Sequence, residues 1–377
     1  MKILTLNYEF PPVGGGAAPV SLELCRQLVS LGHQVDVITM RYKNTPRYQE
    51  LDGVGIYRTP ALRRRPDICR THEMLTYPLG AFRKANHLLK EKQYDLIHAH
   101  FIIPTGLLAW LINRKNKIPL VITCHGSDVP GYNPDRFKLM HRILTPAWKF
   151  LAEKANVLVC PSGYLKNLIA GQSSKASLCV IPNGLSIEIL PQDALASKEK
   201  QILLCSRLLP RKGFQYLIEA VKDLSLDWQV NIVGDGPYRQ RLEKLAAASE
   251  TPIRFWGWLD RNDPQFQKLY QAGSIFVFPS EAENFPTVLL DALASGMAVI
   301  TSSAGGCPEV VGNAAVLVEP ANTEQLKEKL LALVENPQLR QSLSSAALQR
   351  AKEFTWPAIT QRYAELFEKL CRENKEN

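Results

Sequence analysis

Two carboxylates, Glu283 and Asp291, stand eight positions apart in the stretch SEAENFPTVLLDALASG, residues 280–296. The first lies in a polar turn beside Glu281 and Asn284. The second lies in a run of helical period that Gly296 closes. Pro286 favours the first position of a helix. That predicts Glu283 in the loop at the helix start and Asp291 about two turns in. A carboxylate is a good partner for vicinal hydroxyls, so two at this spacing could hold two sugar rings. The bland alternative for Asp291 is an acid on a helix surface.

SRLLPRKG (206–213) follows a strand pattern and opens a helix, with Arg207, Arg211 and Lys212 beside Gly213. A helix N-terminus disfavours cations. Their placement makes sense if an anion sits among them, where backbone N–H groups add to the attraction. Two more glycine turns follow strand patterns: VGDGP (233–237), with Gly234 and Gly236, and SSAGGCPE (302–309), with Gly305, Gly306 and Glu309. One such turn is weak. Three in one domain predict a cradle for a nucleoside diphosphate. The sequence has no D-x-D pair and no His/Asp cluster for a metal, so the basic turn would supply the charge compensation. In the N-terminal half, PPVGGG (11–16) is a turn ahead of a helix, and CHGSD (124–128) places His125 at a strand end beside Gly126, Ser127 and Asp128. A lone histidine there is more often structural, but these neighbours favour a role in a cleft. His98 and His100 lie in an apolar strand and read as core or loop-ordering groups.

The elements that must position these groups alternate. Strand patterns at 2–7, 34–40, 95–100, 120–125 and 157–162 flank helical runs, among them one from Pro19 that Gly32 closes. After an aperiodic stretch the alternation restarts, with strands at 201–208, 229–236, 274–280 and 298–302. The period at 356–373 is that of an amphipathic helix, with Ile359, Tyr363, Leu366 and Leu370 on one face. Alternation of this kind implies α/β architecture with parallel sheets, and 377 residues exceed one comfortable core. Two tandem Rossmann-like doubly wound domains would bind ligands in a cleft at the carboxyl ends of their strands.

The eight cysteines are scattered singly, as in a reduced cytoplasmic protein. The longest apolar stretch, residues 101–112, is broken by Pro104 and Gly106 and is too short to span a bilayer. Between Arg41 and Lys92 stand 12 Lys/Arg against 5 Asp/Glu, which is seven of the nine net positive charges. LRRRP (62–66) is the densest part, and residues 136–151 mix Arg142 and Lys149 with Leu139, Ile143, Trp148 and Phe150. An anionic membrane surface carries equal weight with the bland alternative, in which these apolar residues pack on the sheet and the charges are simply solvated. Nucleic acid is disfavoured, since no binding motif for it is present.

Taken in order, PPVGGGAAP, DLIHAHFIIPTG, CHGSD, IPNG (181–184), SRLLPRKG, VGDGP, ENFPTVLLDALASG and GGCPE resemble retaining nucleotide-sugar glycosyltransferases of glycosyltransferase family 4 (group 1), which have the GT-B architecture. The resemblance covers nearly the whole chain, and Glu283 and Asp291 match its Glu-x7-Glu signature. It implies an acceptor domain at 1–186, a linker at 187–200, a donor domain at 201–355 and a final helix at 356–377 packing back on the first domain. It implies that Arg207 and Lys212 bind the donor diphosphate, that Glu283 contacts the transferred sugar and that Asp291 holds the ribose. His125 would lie beside the donor sugar, with Gly15 and Gly16 near phosphate and acceptor. Asp128, Gly234, Gly236, Gly305, Gly306 and Glu309 complete the substrate-binding set. The sequence departs from the family at Asp291, one C–C bond (about 1.5 Å) shorter than Glu, and at Ser186, where Asp is usual.

The expected function is retaining, metal-independent transfer of a hexosyl-type sugar from a nucleotide diphosphate sugar to a hydroxyl acceptor in glycan, polysaccharide or glycolipid biosynthesis. A UDP-sugar is favoured over a GDP-sugar, no other cofactor is implied, and a lipid-linked acceptor would make the protein peripheral on the cytosolic leaflet. The alternatives are a nucleotide-sugar epimerase of the same architecture and a non-catalytic nucleotide-sugar-binding protein. A dinucleotide oxidoreductase is disfavoured because GGGAAP is not G-x-G-x-x-G.

Overall fold

The computed structural model describes residues 1–66, 69–132, 134–185 and 198–376, the side chains of 134–142 excepted. Ser186, the side chains of Leu139 and Arg142, and residues 187–197 of the expected linker lie outside the described residues. Met1–Gly184 together with Trp356–Asn377 form one unit, and Leu185–Thr355 form the other.

The first unit holds β1 (Lys2–Leu6), β2 (Gln34–Met40), β3 (Tyr48–Leu51), β4 (Val54–Thr59), β5 (Leu96–His100), β6 (Leu120–Thr123), β7 (Val157–Cys160) and β8 (Leu178–Val180). They lie in the order β3-β4-β2-β1-β5-β6-β7-β8. β1 is buried on both faces: Ile3 packs into one core cluster, Leu4 and Leu6 into the other. Burial on both faces is why such strands read as continuous apolar runs. The expectation of parallel pairing fails at one edge, where β3 runs antiparallel to β4. Asp52 and Gly53 join them with φ of 53° and 78°, the left-handed pair that a two-residue Asp-Gly hairpin turn requires.

The helix Trp356–Glu376 packs in this unit. Trp356, Ile359, Tyr363, Phe367 and Leu370 are buried in the cluster of Ile3, Leu24 and Val35, with Leu366 partly buried beside it. Each large side chain buried this way is worth roughly 1.5–3 kcal/mol. Trp356 also explains Gly184, since a Cβ there would stand 2.3 Å from the indole.

The second unit is a six-stranded sheet: β9 (Glu199–Cys205), β10 (Gln229–Val233), β11 (Ile253–Gly257), β12 (Gly273–Phe278), β13 (Ala298–Ser302) and β14 (Ala315–Val318). Its order is β11-β10-β9-β12-β13-β14, and every pairing is parallel. β9 begins at Glu199, two residues earlier than its pattern suggested.

The structure corrects one expectation about the basic surface and, for Trp148, decides between two. Arg63 of LRRRP is buried: its side chain pairs with Glu9 at 3.5 Å and donates to the carbonyls of Arg65 and Pro66. Only Arg64 and Arg65 of the three are exposed. Trp148 is buried too, its indole N–H donating to the Asp128 carbonyl at 2.8 Å, whereas Ile143 and Phe150 are exposed.

Candidate active site

In the second sheet β9 and β12 are neighbours, but the chain leaves β9 toward β10 on one side and β12 toward β13 on the other. Such a reversal opens a crevice beyond the carboxyl ends of the two strands, where ligands of open α/β sheets bind. The loop after β9 carries Arg207, Arg211 and Lys212, and the loop after β12 carries Ser280 and Glu283. Lys212 Nζ and Glu283 Oε1 form an ion pair there, with side chains 11% and 9% exposed. Ser280 Oγ donates to the same oxygen at 2.7 Å. Glu283 Oε2 makes no hydrogen bond among the described residues. Lys212 Nζ also lies 5.5 Å from the centre of the Phe278 ring. The result is a carboxylate fixed by two donors on one oxygen, with the other oxygen left to meet a ligand.

Glycines bring these loops together. Gly213 has φ +79°, and a Cβ there would lie 2.2 Å from the Pro279 carbonyl oxygen. Gly305, at φ +58°, is equally close to the Glu283 carbonyl, to which the Gly306 N–H donates at 2.9 Å. Gly234 and Gly236 would place Cβ atoms 1.8 and 2.4 Å from the carbonyls of Ser206 and Leu208. The glycines read as a phosphate cradle therefore have a packing cause of their own, the approach of one strand-end loop to the next.

Arg207 is exposed just past β9. Glu309 is half-buried in the first turn of the helix Cys307–Val311, where an acid suits the dipole. Pro286 caps the helix Thr287–Ala294 instead of opening it, so Asp291 is its fifth residue, a little over one turn in and not two. Asp291 is buried and pairs with Arg261. Burial raises its pKa, and Arg261 opposes that shift. Nothing in the spacing of LDRND (259–263) had pointed to Arg261, because the pair closes only when loop and helix meet.

The first unit has its own reversal, between β1 and β5. Past β1, Gly16 caps the helix Ala17–Ser30 with no side-chain cap. Around Gly15 and Gly16 a Cβ would meet nothing within 4 Å. No packing reason demands glycine at either position, in contrast to Gly234 and Gly305. Past β6, His125 is half-buried, with Nε2 3.0 Å from His100 Nδ1. Among the described residues His100 Nε2 is sealed and has no partner. A proton placed there would be a buried orphan donor, so His100 is assigned the Nδ1–H tautomer, donating to His125 Nε2. His125 then carries its own proton on Nδ1. Burial pulls His98 and His125 down to about 3, and His100 well below its ordinary value. All three are therefore neutral at pH 7.

Asp128 was expected to contact substrate. Its two oxygens accept the backbone N–H groups of Ile102 at 2.9 Å and His125 at 3.0 Å. It thus fastens the loop after β5 to the loop after β6. Burial is the largest influence on its pKa and raises it, against those backbone donors.

Among the described residues no group of three or more His, Cys, Asp or Glu side chains could hold a metal ion. The family model Glycosyltransferase Family 4 matches residues 14–189, and Glycosyl transferases group 1 matches residues 186–350. An uncharacterised glycosyltransferase of Methanocaldococcus jannaschii, MJ1178, is 26% identical over 373 residues, 98% of this chain and 99% of that one. The sucrose-phosphate synthase of Thermosynechococcus elongatus shares the fold with a TM-score of 0.83 at 22% identity, over 98% of this chain and 99% of its own. Anabaena HepE, solved with UDP and glucose, does so with a TM-score of 0.75 at 21% identity, over 98% and 99%.

Proposed function

We propose, from the premise that this chain belongs to the group 1 glycosyltransferases of glycosyltransferase family 4, that it transfers a hexosyl-type sugar from a nucleotide diphosphate sugar to a hydroxyl acceptor with retention at the anomeric carbon, in building a glycan, polysaccharide or glycolipid. The observation that carries this reading is the Lys212–Glu283 pair at the β9/β12 reversal. A nucleoside diphosphate leaves as an anion, and preorganised cations stabilise the charge that develops on it. Lys212 and Arg207 would supply that charge, so the reading needs no metal ion. The acceptor oxygen bonds to the anomeric carbon as the bond to the phosphate oxygen breaks, on the same face. The acceptor proton passes to the departing phosphate oxygen. Glu283, pinned through Oε1, would turn Oε2 toward the sugar and stabilise the positive charge building on it. His125, with its proton on Nδ1, could donate to a sugar hydroxyl. The donor proposed is a UDP-sugar rather than a GDP-sugar; HepE is solved with UDP, while a Corynebacterium glutamicum relative is GDP-mannose-dependent.

A thermal-shift panel of nucleoside diphosphates and their sugars tests the reading, followed by hydrolysis of the best binder. UDP and a UDP-sugar should raise the melting temperature most, and hydrolysis should persist in EDTA. No shift with any nucleoside diphosphate would overturn the donor assignment, and strict dependence on Mg²⁺ or Mn²⁺ would overturn the metal-free scheme.

The acceptor is proposed to be lipid-linked, with the enzyme peripheral on an anionic cytosolic leaflet. Support comes from the first unit, where Leu62, Leu75 and Leu79 are exposed at 64%, 72% and 63%. They share residues 62–84 with exposed Arg64, Arg65 and Arg83. Apolar side chains among cations suit an anionic interface. Among the described residues no helix is long and apolar enough to cross a membrane.

A further inference from the structure

Asp291 is the point where this chain departs from the Glu-x7-Glu pattern, and the structure shows what accompanies the shorter acid. The residue is 5% exposed. A carboxylate so enclosed resists ionisation, because leaving water penalises the charged form. A neutral carboxyl group would be a poor acceptor for hydroxyl donors. Arg261, in the loop between β11 and the helix Pro264–Ala272, donates through Nη2 to Asp291 Oδ1. Its side chain remains 42% exposed, so a guanidinium with access to water is anchored on a carboxylate that has little. Asp291 Oδ2 makes no hydrogen bond among the described residues and is not one of the sealed polar atoms. The other titratable groups facing the pair are Cys205 at the end of β9 and Tyr270 in the helix Pro264–Ala272. Burial pushes Cys205 up to about 12 and Tyr270 well above its ordinary range. Neither carries charge at neutral pH, so Arg261 is the cation that offsets the burial of Asp291.

We propose that Arg261 is a positioning residue that keeps Asp291 ionised in its enclosed place, so that Oδ2 accepts a hydrogen bond from a ribose hydroxyl of the donor nucleotide. This rests on the donor assignment made above. Aspartate, set deeper, needs a fixed cation to remain a carboxylate. The signature of the Arg–Asp pair is a dependence on pH that appears only when the cation is removed.

Calorimetry with UDP and with 2′,3′-dideoxy-UDP between pH 5.5 and 8.5 tests this, on the full chain and on Arg261→Gln, Arg261→Ser, Arg261→Lys and Asp291→Asn. The measured quantity is the preference for UDP over its dideoxy form, a ratio in which the titration of the nucleotide's own phosphate cancels. The unsubstituted protein should keep one preference across the range. In Arg261→Gln and Arg261→Ser it should fall at least about fivefold from pH 8.5 to 5.5, as a carboxylate freed to titrate in that window requires. Arg261→Lys should restore the flat profile, and Asp291→Asn should show little preference at any pH. A neutral Arg261 variant whose preference is as large and as flat as that of the unsubstituted protein overturns the inference. So does an unsubstituted protein that binds UDP and its dideoxy form equally. If that protein binds no UDP at all, the donor assignment itself fails.

Discussion

Lys212 and Glu283 are each nearly out of water and each the other's counter-charge, so removing one has two effects. Lys212→Ala takes away a cation proposed to meet the leaving diphosphate and should cut turnover by about 10² or more. It also leaves Glu283 buried and unpaired, a loss that typically costs about 3–5 kcal/mol. Arg207 is exposed. Arg207→Ala should lower turnover by a similar factor while leaving the melting temperature nearly unchanged. Steady-state kinetics beside thermal denaturation separates the two, and full activity in either variant would remove that residue from the leaving-group role. Glu283→Gln should abolish transfer yet largely spare nucleoside diphosphate binding, whereas Asp291→Asn should weaken binding of the nucleoside part. Calorimetry on both variants decides this, and exchanged phenotypes would mean that sugar and ribose are assigned the wrong way round.

Elements meet at the site through glycines of two kinds. Gly234, at φ +131°, lies where a Cβ would be 1.8 Å from a carbonyl oxygen of the neighbouring loop. Gly234→Ala should therefore destabilise the second unit by at least about 2 kcal/mol, through forced backbone movement and strain. Gly15 has no such neighbour. Gly15→Ala should leave stability within about 0.5 kcal/mol but reduce transfer, if the open space before the helix Ala17–Ser30 is kept for a substrate. Denaturant unfolding paired with an activity assay checks both. A Gly15→Ala variant that is stable and fully active would leave that loop without a part in binding.

At the scale of the whole molecule, pH and surface charge are the accessible variables. His98 is 1% exposed and held near 3 by burial, against an ordinary value of about 6.5. Below that ordinary value the unfolded chain takes up a proton that the folded one refuses. Stability from this group is complete above about pH 6.5 and is lost at about 1.4 kcal/mol per pH unit as pH falls toward 3. His100 and His125 shift in the same direction. The melting temperature should drop between pH 6.5 and 4.5, and drop less in His98→Asn. Equal drops would show that His98 does not govern acid stability. For the membrane proposal, co-sedimentation with vesicles should rise with anionic lipid and fall with salt. It should weaken in Arg64→Ser/Arg65→Ser, a pair that leaves the buried Arg63–Glu9 contact intact. Equal recovery with neutral and anionic vesicles would leave the enzyme unattached.

The alternation of strand and helix, its restart after the aperiodic stretch and the glycine-closed helices could be read from residue order. Period, capping and turn preference act over a few neighbours and leave a local trace. The same holds for the face of the last helix, where Ile359, Tyr363 and Leu370 recur at helical spacing, although the packing partners Ile3 and Val35 lie more than 300 positions away. Even the antiparallel edge had a local sign in Asp52-Gly53. Glu283 and Lys212 were legible as groups capable of chemistry, but their ion pair was not. They come together because β12 lies beside β9 while their connections run opposite ways, a fact about strand order that no window of residues contains. Tertiary structure alone also set Asp128 to fastening two loops, buried Arg63 within an exposed basic run and gave Asp291 its partner. The physical reason is common to all of these. A residue's type determines what it can bond to, but burial and long-range neighbours determine which bond it makes, and both exist only once the sheets have formed.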